Sequence, residues 1–175
     1  GENDLVYFQL GAAYERSGRF DEAAENFERA IRLNPRNAEA FNYLGYMYAE
    51  RGVKLDEAVE LIEKALELEP RNGAYLDSLG WAYYQKGMIG EAVEKLEEAA
   101  GLISDDPVIR DHLGDAYRKQ GETEKAVGEW RKALELEPDE PSTIEEKIRG
   151  SEKPPEGKSP APSQTPGEGQ GKMAD

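Results

Sequence analysis

The sequence predicts an all-α chain, built as a solenoid of stacked helix-turn-helix hairpins. The first observation is a Leu-Gly pair that begins at positions 10, 44, 79 and 113, at spacings of 34, 35 and 34 residues. The second is a further glycine seven residues after the glycine of each pair, where the first helix of a unit would end. The third is a proline that closes three of the four units, because proline prevents a helix from continuing. A fixed period of this length is typical of a stacked array.

Each unit carries the same order of small and large residues. A tyrosine follows the glycine of each pair by three residues: Tyr14, Tyr48, Tyr83 and Tyr117. The second helix then carries an alanine, a large apolar residue and another alanine, as in Ala23, Phe27 and Ala30. Small residues let two helices approach closely, and the large residues fill the space between them. We therefore expect hairpins that are stable only against their neighbours.

This pattern resembles the tetratricopeptide repeat. The resemblance covers residues 4–37, 38–72, 73–106 and 107–140, and it implies four units wound into a right-handed superhelix. The second unit has one extra residue, in the segment GVKLDEA, which predicts a longer turn between its helices. The third lacks the closing proline, and there Asp106 is predicted to cap the next helix, with Pro107 at its first position.

The period ends after residue 140. Residues 141–150 predict a short helix resembling the one that caps the last repeat in this family, with Ser142 and Glu145 at capping-box spacing. Ile144 and Ile148 would share one face of that helix. Residues 151–175 hold five prolines, four glycines and no aromatic residue, so they are predicted to be disordered.

The N-terminal edge is predicted to be a packing surface. Leu5, Val6 and Ala13 lie where a preceding repeat would pack, whereas the edge of an array is normally polar. We therefore expect this chain to be the C-terminal part of a longer repeat protein, or its first repeat to be covered by another molecule.

The composition of the chain argues against several classes of function. With 37 acidic and 22 basic residues the net charge is −15, which disfavours nucleic acid because phosphate contacts require Lys and Arg. No apolar run approaches the roughly 18 residues of a membrane span, so we expect no membrane insertion and a soluble protein of the cytoplasm or periplasm. One histidine and no cysteine supply neither a catalytic nucleophile and base nor a zinc cluster. The sequence thus predicts no enzyme activity, no cofactor and no metal.

The resemblance implies a groove, lined by the first helix of each unit, that holds a peptide. Family positions carried over to this sequence give the candidate peptide-binding residues Phe8, Asn42, Tyr46, Asp77, Trp81, Tyr84, Asp111 and Asp115. The aromatic residues would anchor a ligand, and Asn42 and the aspartates would select it.

Several of these residues have alternative interpretations. Trp81 could stack on Tyr46 and stiffen the array without any ligand. The aspartates could select a Lys or Arg of a peptide, hold a hard cation or simply be solvated. His112 could be a contact between repeats, a surface residue or a pH-sensitive contact to a ligand.

The predicted function is that of a noncatalytic module that binds a peptide or protein segment of apolar or basic character. One alternative is an assembly element that forms a homo-oligomer through its N-terminal edge. Another is the scaffold portion of a larger enzyme or of a secretion or assembly complex.

Overall fold

The fold of residues 3–152, which the computed structural model describes, consists of helices joined by short connections. In chain order the helices are α1 (Asp4–Arg16), α2 (Phe20–Leu33), α3 (Ala38–Glu50), α4 (Leu55–Leu68), α5 (Gly73–Lys86), α6 (Ile89–Leu102), α7 (Pro107–Gln120), α8 (Thr123–Glu135) and α9 (Pro141–Glu152). No strand occurs in this range, so the predicted all-α repeat fold is confirmed. Of the predicted disordered tail, Ser151 and Glu152 belong to α9, and residues 153–175 lie outside the described residues.

The turns within the hairpins form where the sequence places a glycine. Gly18, Gly52, Gly87 and Gly121 have φ values of 73°, 63°, 79° and 94°, a conformation that side chains with a Cβ rarely adopt. Gly87 and Gly121 cap α5 and α7 directly, as predicted for the end of a first helix. The connection between α3 and α4 holds the extra residue of the second unit, and there Lys54 also has a positive φ of 46°.

Within each hairpin, a glycine of the first helix touches the large apolar residue of the second. A Cβ at Gly11 would lie 2.7 Å from Phe27, and one at Gly80 would lie 2.6 Å from Leu96. The same relation links Gly45 to Ile62 and Gly114 to Trp130. The helices approach so closely that only glycine fits, which is the physical basis of the recurring Leu-Gly pair.

The apolar core divides into two large clusters that meet at α5. The first comprises buried residues of α1 to α4 together with Leu79 and Ala82 of α5. The second begins at Leu76 of α5 and continues through α6, α7 and α8 to Ile144 of α9. Because α5 contributes side chains to both clusters, it connects the two halves of the array.

The helix cap predicted for α7 is present, and the cap predicted for α9 is not. Asp106 accepts hydrogen bonds from the main-chain amides of Val108 and Ile109 at 2.8 and 3.3 Å, with Pro107 at the first helical position, as predicted. The predicted capping box at Ser142 is wrong, because α9 begins at Pro141, so Ser142 lies inside its first turn and does not precede the helix as a cap. Proline is well suited to the first position of a helix.

Candidate functional site

The first helices of the hairpins share one face, which contains a cleft of about 380 Å³. We call this the Asn42 cleft. Its walls come from α1, α3, α5 and the start of α7, and it is lined by Glu15, Asn42, Tyr43, Tyr46, Met47, Ala74, Asp77, Ser78, Asp106, Val108 and Ile109. The lining is largely apolar, its charged members are all acidic, and it includes no Lys or Arg.

Asn42 is the unsatisfied polar residue of this cleft. Its side chain is only 8% exposed, yet its Oδ1 has no hydrogen-bond partner within the described part of the chain. Buried amides in folded proteins are nearly always paired, so an unpaired one requires an explanation. A side-chain amide can both donate and accept, and rotation of the amide by half a turn exchanges the two functions. Asn42 can therefore present either a hydrogen-bond donor or an acceptor to a ligand in the cleft.

Tyr46 and Phe8 have different environments although both were candidate anchors. Tyr46 lines the cleft and donates its hydroxyl to Glu50 at 3.0 Å, and burial together with the charge of Glu50 raises its pKa. Phe8 is buried in the first apolar cluster, where it lies edge-on to Tyr43 at 5.1 Å and tilted against Phe27 at 5.8 Å. Phe8 thus supports the cleft from behind, through Tyr43, and does not line it.

Trp81 lies in a stack of three rings on α5 and α7. Its indole is parallel to Tyr84, with ring centroids 4.9 Å apart, and to His112, at 4.2 Å. The alternative prediction that Trp81 stacks on Tyr46 is wrong, because the neighbouring first helix that supplies its partner is α7 and not α3. The indole Nε1 is buried without a hydrogen-bond partner among residues 3–152. The apolar stripe of α5 is therefore used in large part for packing between repeats.

His112 is a buried contact between repeats, one of the readings predicted for it. Its Nδ1 lies 2.9 and 3.1 Å from the two carboxylate oxygens of Asp77. Burial lowers the pKa of His112, but the charge and hydrogen bond of Asp77 outweigh burial, so the pKa lies above its ordinary value. Asp77 therefore has two roles, since it lines the Asn42 cleft and holds α7 through His112.

Asp111 and Asp115 are bound by a lysine of the same chain. Lys147 of α9 donates to both carboxylate oxygens of Asp111 at 2.7 and 2.8 Å and to Asp115 at 2.9 Å. Asp115 also accepts a hydrogen bond from the indole of Trp130 at 3.2 Å. Burial raises the pKa of Asp115, and Lys147 acts in the opposite direction. The cation that these aspartates were predicted to select is present, but α9 supplies it.

The structure thus separates the eight candidate residues into groups. Asn42, Tyr46 and Asp77 line one cleft, Trp81 and Tyr84 belong to the ring stack, Asp111 and Asp115 hold α9, and Phe8 is in the core. Sequence reasoning missed Lys147. Its position three residues after Ile144 was the available signal, because residues at that spacing share a helix face.

Residues 3–152 contain neither a cluster of side chains suited to a metal ion nor a helix suited to crossing a membrane. No group of three or more His, Cys, Asp or Glu side chains is arranged to hold a metal ion. None of the helices in this range combines the length and the apolar character that crossing a bilayer requires.

Comparison with known proteins identifies the repeat. Tetratricopeptide-repeat family models match residues 5–37, 26–60, 54–107 and 114–143. The comparison with curated protein sequences returned no match.

Solved structures of tetratricopeptide-repeat proteins resemble the chain along most of its length. MamA from AMB-1 is 30% identical, with a TM-score of 0.64 and coverage of 77% of this chain and 79% of MamA. MamA from MSR-1 is 31% identical, with a TM-score of 0.62 and 77% coverage of each chain. PilF from Pseudomonas aeruginosa shares the fold, with 24% identity, a TM-score of 0.74 and coverage of 85% of this chain and 67% of PilF.

Such repeats are in general noncatalytic protein–protein interaction modules. The chain belongs to the tetratricopeptide-repeat family.

Proposed function

We propose that this chain binds an extended segment of a protein partner, of apolar or basic character, on the face formed by its first helices, with the Asn42 cleft as the anchor point. The observation that carries this proposal is the buried Oδ1 of Asn42 on the wall of that cleft, which has no hydrogen-bond partner among residues 3–152. The main chain of an extended segment presents N–H and C=O groups that can pair with such an amide. Binding would supply the partner that the amide lacks in the free chain.

The rest of the cleft indicates which segments fit. Met47, Val108 and Ile109 provide an apolar wall, which favours an apolar side chain at the anchor point. Glu15 and Asp106 add negative charge at the same cleft, and the whole chain carries a net charge of −15. A basic residue beside the apolar one is therefore favoured, and an acidic segment is disfavoured by charge repulsion.

The test is to replace Asn42 by leucine. Short peptides are selected from a random library against the wild-type chain, and their affinities are measured by fluorescence anisotropy. Asn42→Leu keeps the branched shape of the side chain but removes the amide, so we expect peptide affinity to fall by about tenfold or more, the range for a lost hydrogen bond in a buried site. The free energy of unfolding should stay the same or increase, because an unpaired polar group is replaced by an apolar one.

The matched control is Asn26→Leu on α2. Asn26 donates its amide to the carbonyl of Glu22 at 2.8 Å and does not line the cleft. We expect this variant to bind the selected peptides as the wild type does. Equal affinity of the Asn42→Leu chain and the wild type would contradict the proposal.

A second candidate function is self-association through the N-terminal edge, and the repeat positions favour it. Leu10 is 41% exposed, whereas the equivalent Leu44, Leu79 and Leu113 are at most 4% exposed because a preceding helix covers them. Val6 is 54% exposed, although its equivalents, among them Ala40 and Ile109, are buried. An apolar stripe of this kind on a stacking face is suited to covering by another repeat.

Light scattering over a range of protein concentrations tests this candidate. A rise in mass with concentration that is lost in Val6→Glu would support it, because a buried carboxylate at the contact is costly. A constant monomer mass would contradict it. Arg32→Gln, at an exposed position of α2, lowers the net charge by the same one unit and is the control for the change in charge.

A further inference from the structure

Few apolar contacts attach α9 to the array, and of its polar contacts the one made by Lys147 is the most shielded. Arg118 donates a solvent-exposed hydrogen bond to Oγ of Ser151 at 3.2 Å. Ile144 is the one buried residue of α9, and Ile148 packs partly against the second apolar cluster. The ion pair between Arg131 and Glu152 is exposed on both sides, so it contributes little. The contact of Lys147 with Asp111 and Asp115 is more shielded and satisfies two carboxylates that lie one turn apart on α7.

The position of α9 next to the groove connects this contact to ligand binding. A cavity of about 390 Å³ at the start of α7 is lined by Val108 and Asp111 and also by Thr143 and Ile144 of α9. Val108, which is 51% exposed, lines this cavity and the Asn42 cleft alike. A segment anchored in the Asn42 cleft and running over Val108 would therefore reach Asp111 and meet α9.

We propose that α9 is a displaceable latch at the end of the groove, in which Lys147 occupies the Asp111–Asp115 pair until a lysine or arginine of a bound segment replaces it. This inference rests on the proposed function of the groove and adds a means of controlling it. Exchange of one cationic side chain for another keeps both carboxylates paired with a cation, so the main losses are the small apolar contact of Ile144 and Ile148 and two exposed polar contacts of α9. Because Lys147 is tethered to the site, it competes at a high effective concentration and lowers the apparent affinity of the free chain.

The experiment uses the α9 sequence itself as the probe and the chain of 175 residues as the protein. A fluorescent peptide, PSTIEEKIRGSE, and a second peptide with methionine in place of its lysine are titrated into two proteins. One is the wild type, and the other is the double variant Ile144→Ala/Lys147→Met, in which the latch is loosened. We expect the lysine peptide to bind the double variant about tenfold more tightly than the wild type, and the methionine peptide to show no such preference.

Asp111→Asn, added to the double variant, is expected to remove this gain in affinity. In parallel, amide exchange of α9 is followed by NMR in an isotopically labelled wild-type chain. The unlabelled lysine peptide should accelerate exchange in α9 and leave exchange in α2 unchanged. If circular dichroism shows that the double variant does not fold, Lys147→Met alone takes its place and should accelerate α9 exchange by itself.

Equal affinity of the lysine peptide for the latched and loosened chains, or equal binding of the two peptides, would overturn the latch. Unchanged α9 exchange in Lys147→Met would do the same. Failure of the latch is distinguishable from failure of the proposed function, because the selected-peptide assay depends on Asn42 and the α9 peptide on the Asp111–Asp115 pair. Asn42→Leu should leave binding of the lysine peptide unchanged.

Discussion

Replacing Gly45 by alanine tests whether close approach of the two helices in a hairpin determines the repeat pattern. A Cβ at this position would lie 2.6 Å from Cγ1 of Ile62 and 2.9 Å from the main-chain carbonyl oxygen of Ala58. Ordinary contacts between carbon atoms lie at about 3.5–4.0 Å. Ile62 is fully buried and Ala58 contributes a main-chain atom, so neither can move aside without shifting α4.

The expected magnitude follows from two opposing effects. Overpacking of a well-packed core costs about 1–3 kcal/mol, and the main-chain contact places Gly45→Ala at the upper end of this range. Alanine in a helix interior is favoured over glycine by about 1 kcal/mol, which offsets part of the cost. We therefore expect the free energy of unfolding to fall by about 2 kcal/mol. Urea titration followed by far-ultraviolet circular dichroism measures it.

Gly128→Ala is the matched control. Gly128 also lies inside a helix, α8, but a Cβ there would meet no atom within 4 Å. This variant should therefore gain about 0.5–1 kcal/mol from helix propensity alone. A Gly45→Ala chain as stable as the wild type would refute the packing explanation, as would an equal loss in Gly128→Ala.

Three further outcomes are expected. His112→Gln should remove a stabilisation that is complete below the unfolded-state pKa of 6.5 and is lost as the pH rises through the higher folded-state pKa. In urea titrations the difference between wild type and variant should therefore decrease towards alkaline pH, where only the stacking of the neutral ring on Trp81 remains. Asp106→Ala removes the cap of α7 and should lower the free energy of unfolding by about 1 kcal/mol, measured in the same way; no loss would contradict the observed hydrogen bonds. Ile144→Ala should accelerate amide exchange in α9 with little change in α1 to α4, since Ile144 belongs to the second apolar cluster; equal acceleration throughout would contradict this.

The features that recur in every unit could be predicted from the sequence. Gly45 and Ile62 are one instance of a pair that appears four times, so the period itself reveals which residues meet. The turn glycines were predictable for the same reason, because each must adopt a positive φ at an equivalent point.

Contacts that occur once could not be predicted in this way. Lys147 binds Asp111 across 36 residues, and His112 binds Asp77 across 35. The two aspartates occupy equivalent repeat positions, but Lys147 lies outside the repeats and the equivalents of His112 are Ser78 and Tyr43, so the period does not reveal either contact. Phe8 occupies a position that the family places on the groove, but Tyr43 covers it, because two aromatic rings pack edge to face there. The sequence placed most of the candidate residues on the face of the first helices, and their division among a cleft, a ring stack and a contact with α9 required the packed structure.

The division of the core at α5 has a consequence for cooperativity. In a repeat array each unit is stabilised by its immediate neighbours, so unfolding spreads from one unit to the next. Leu76 contributes to one cluster and Leu79 to the other, and α5 is thus the coupling between two unfolding units. Weakening this helix should split one transition into two, with residues of α1 to α4 and of α6 to α9 losing structure at different denaturant concentrations.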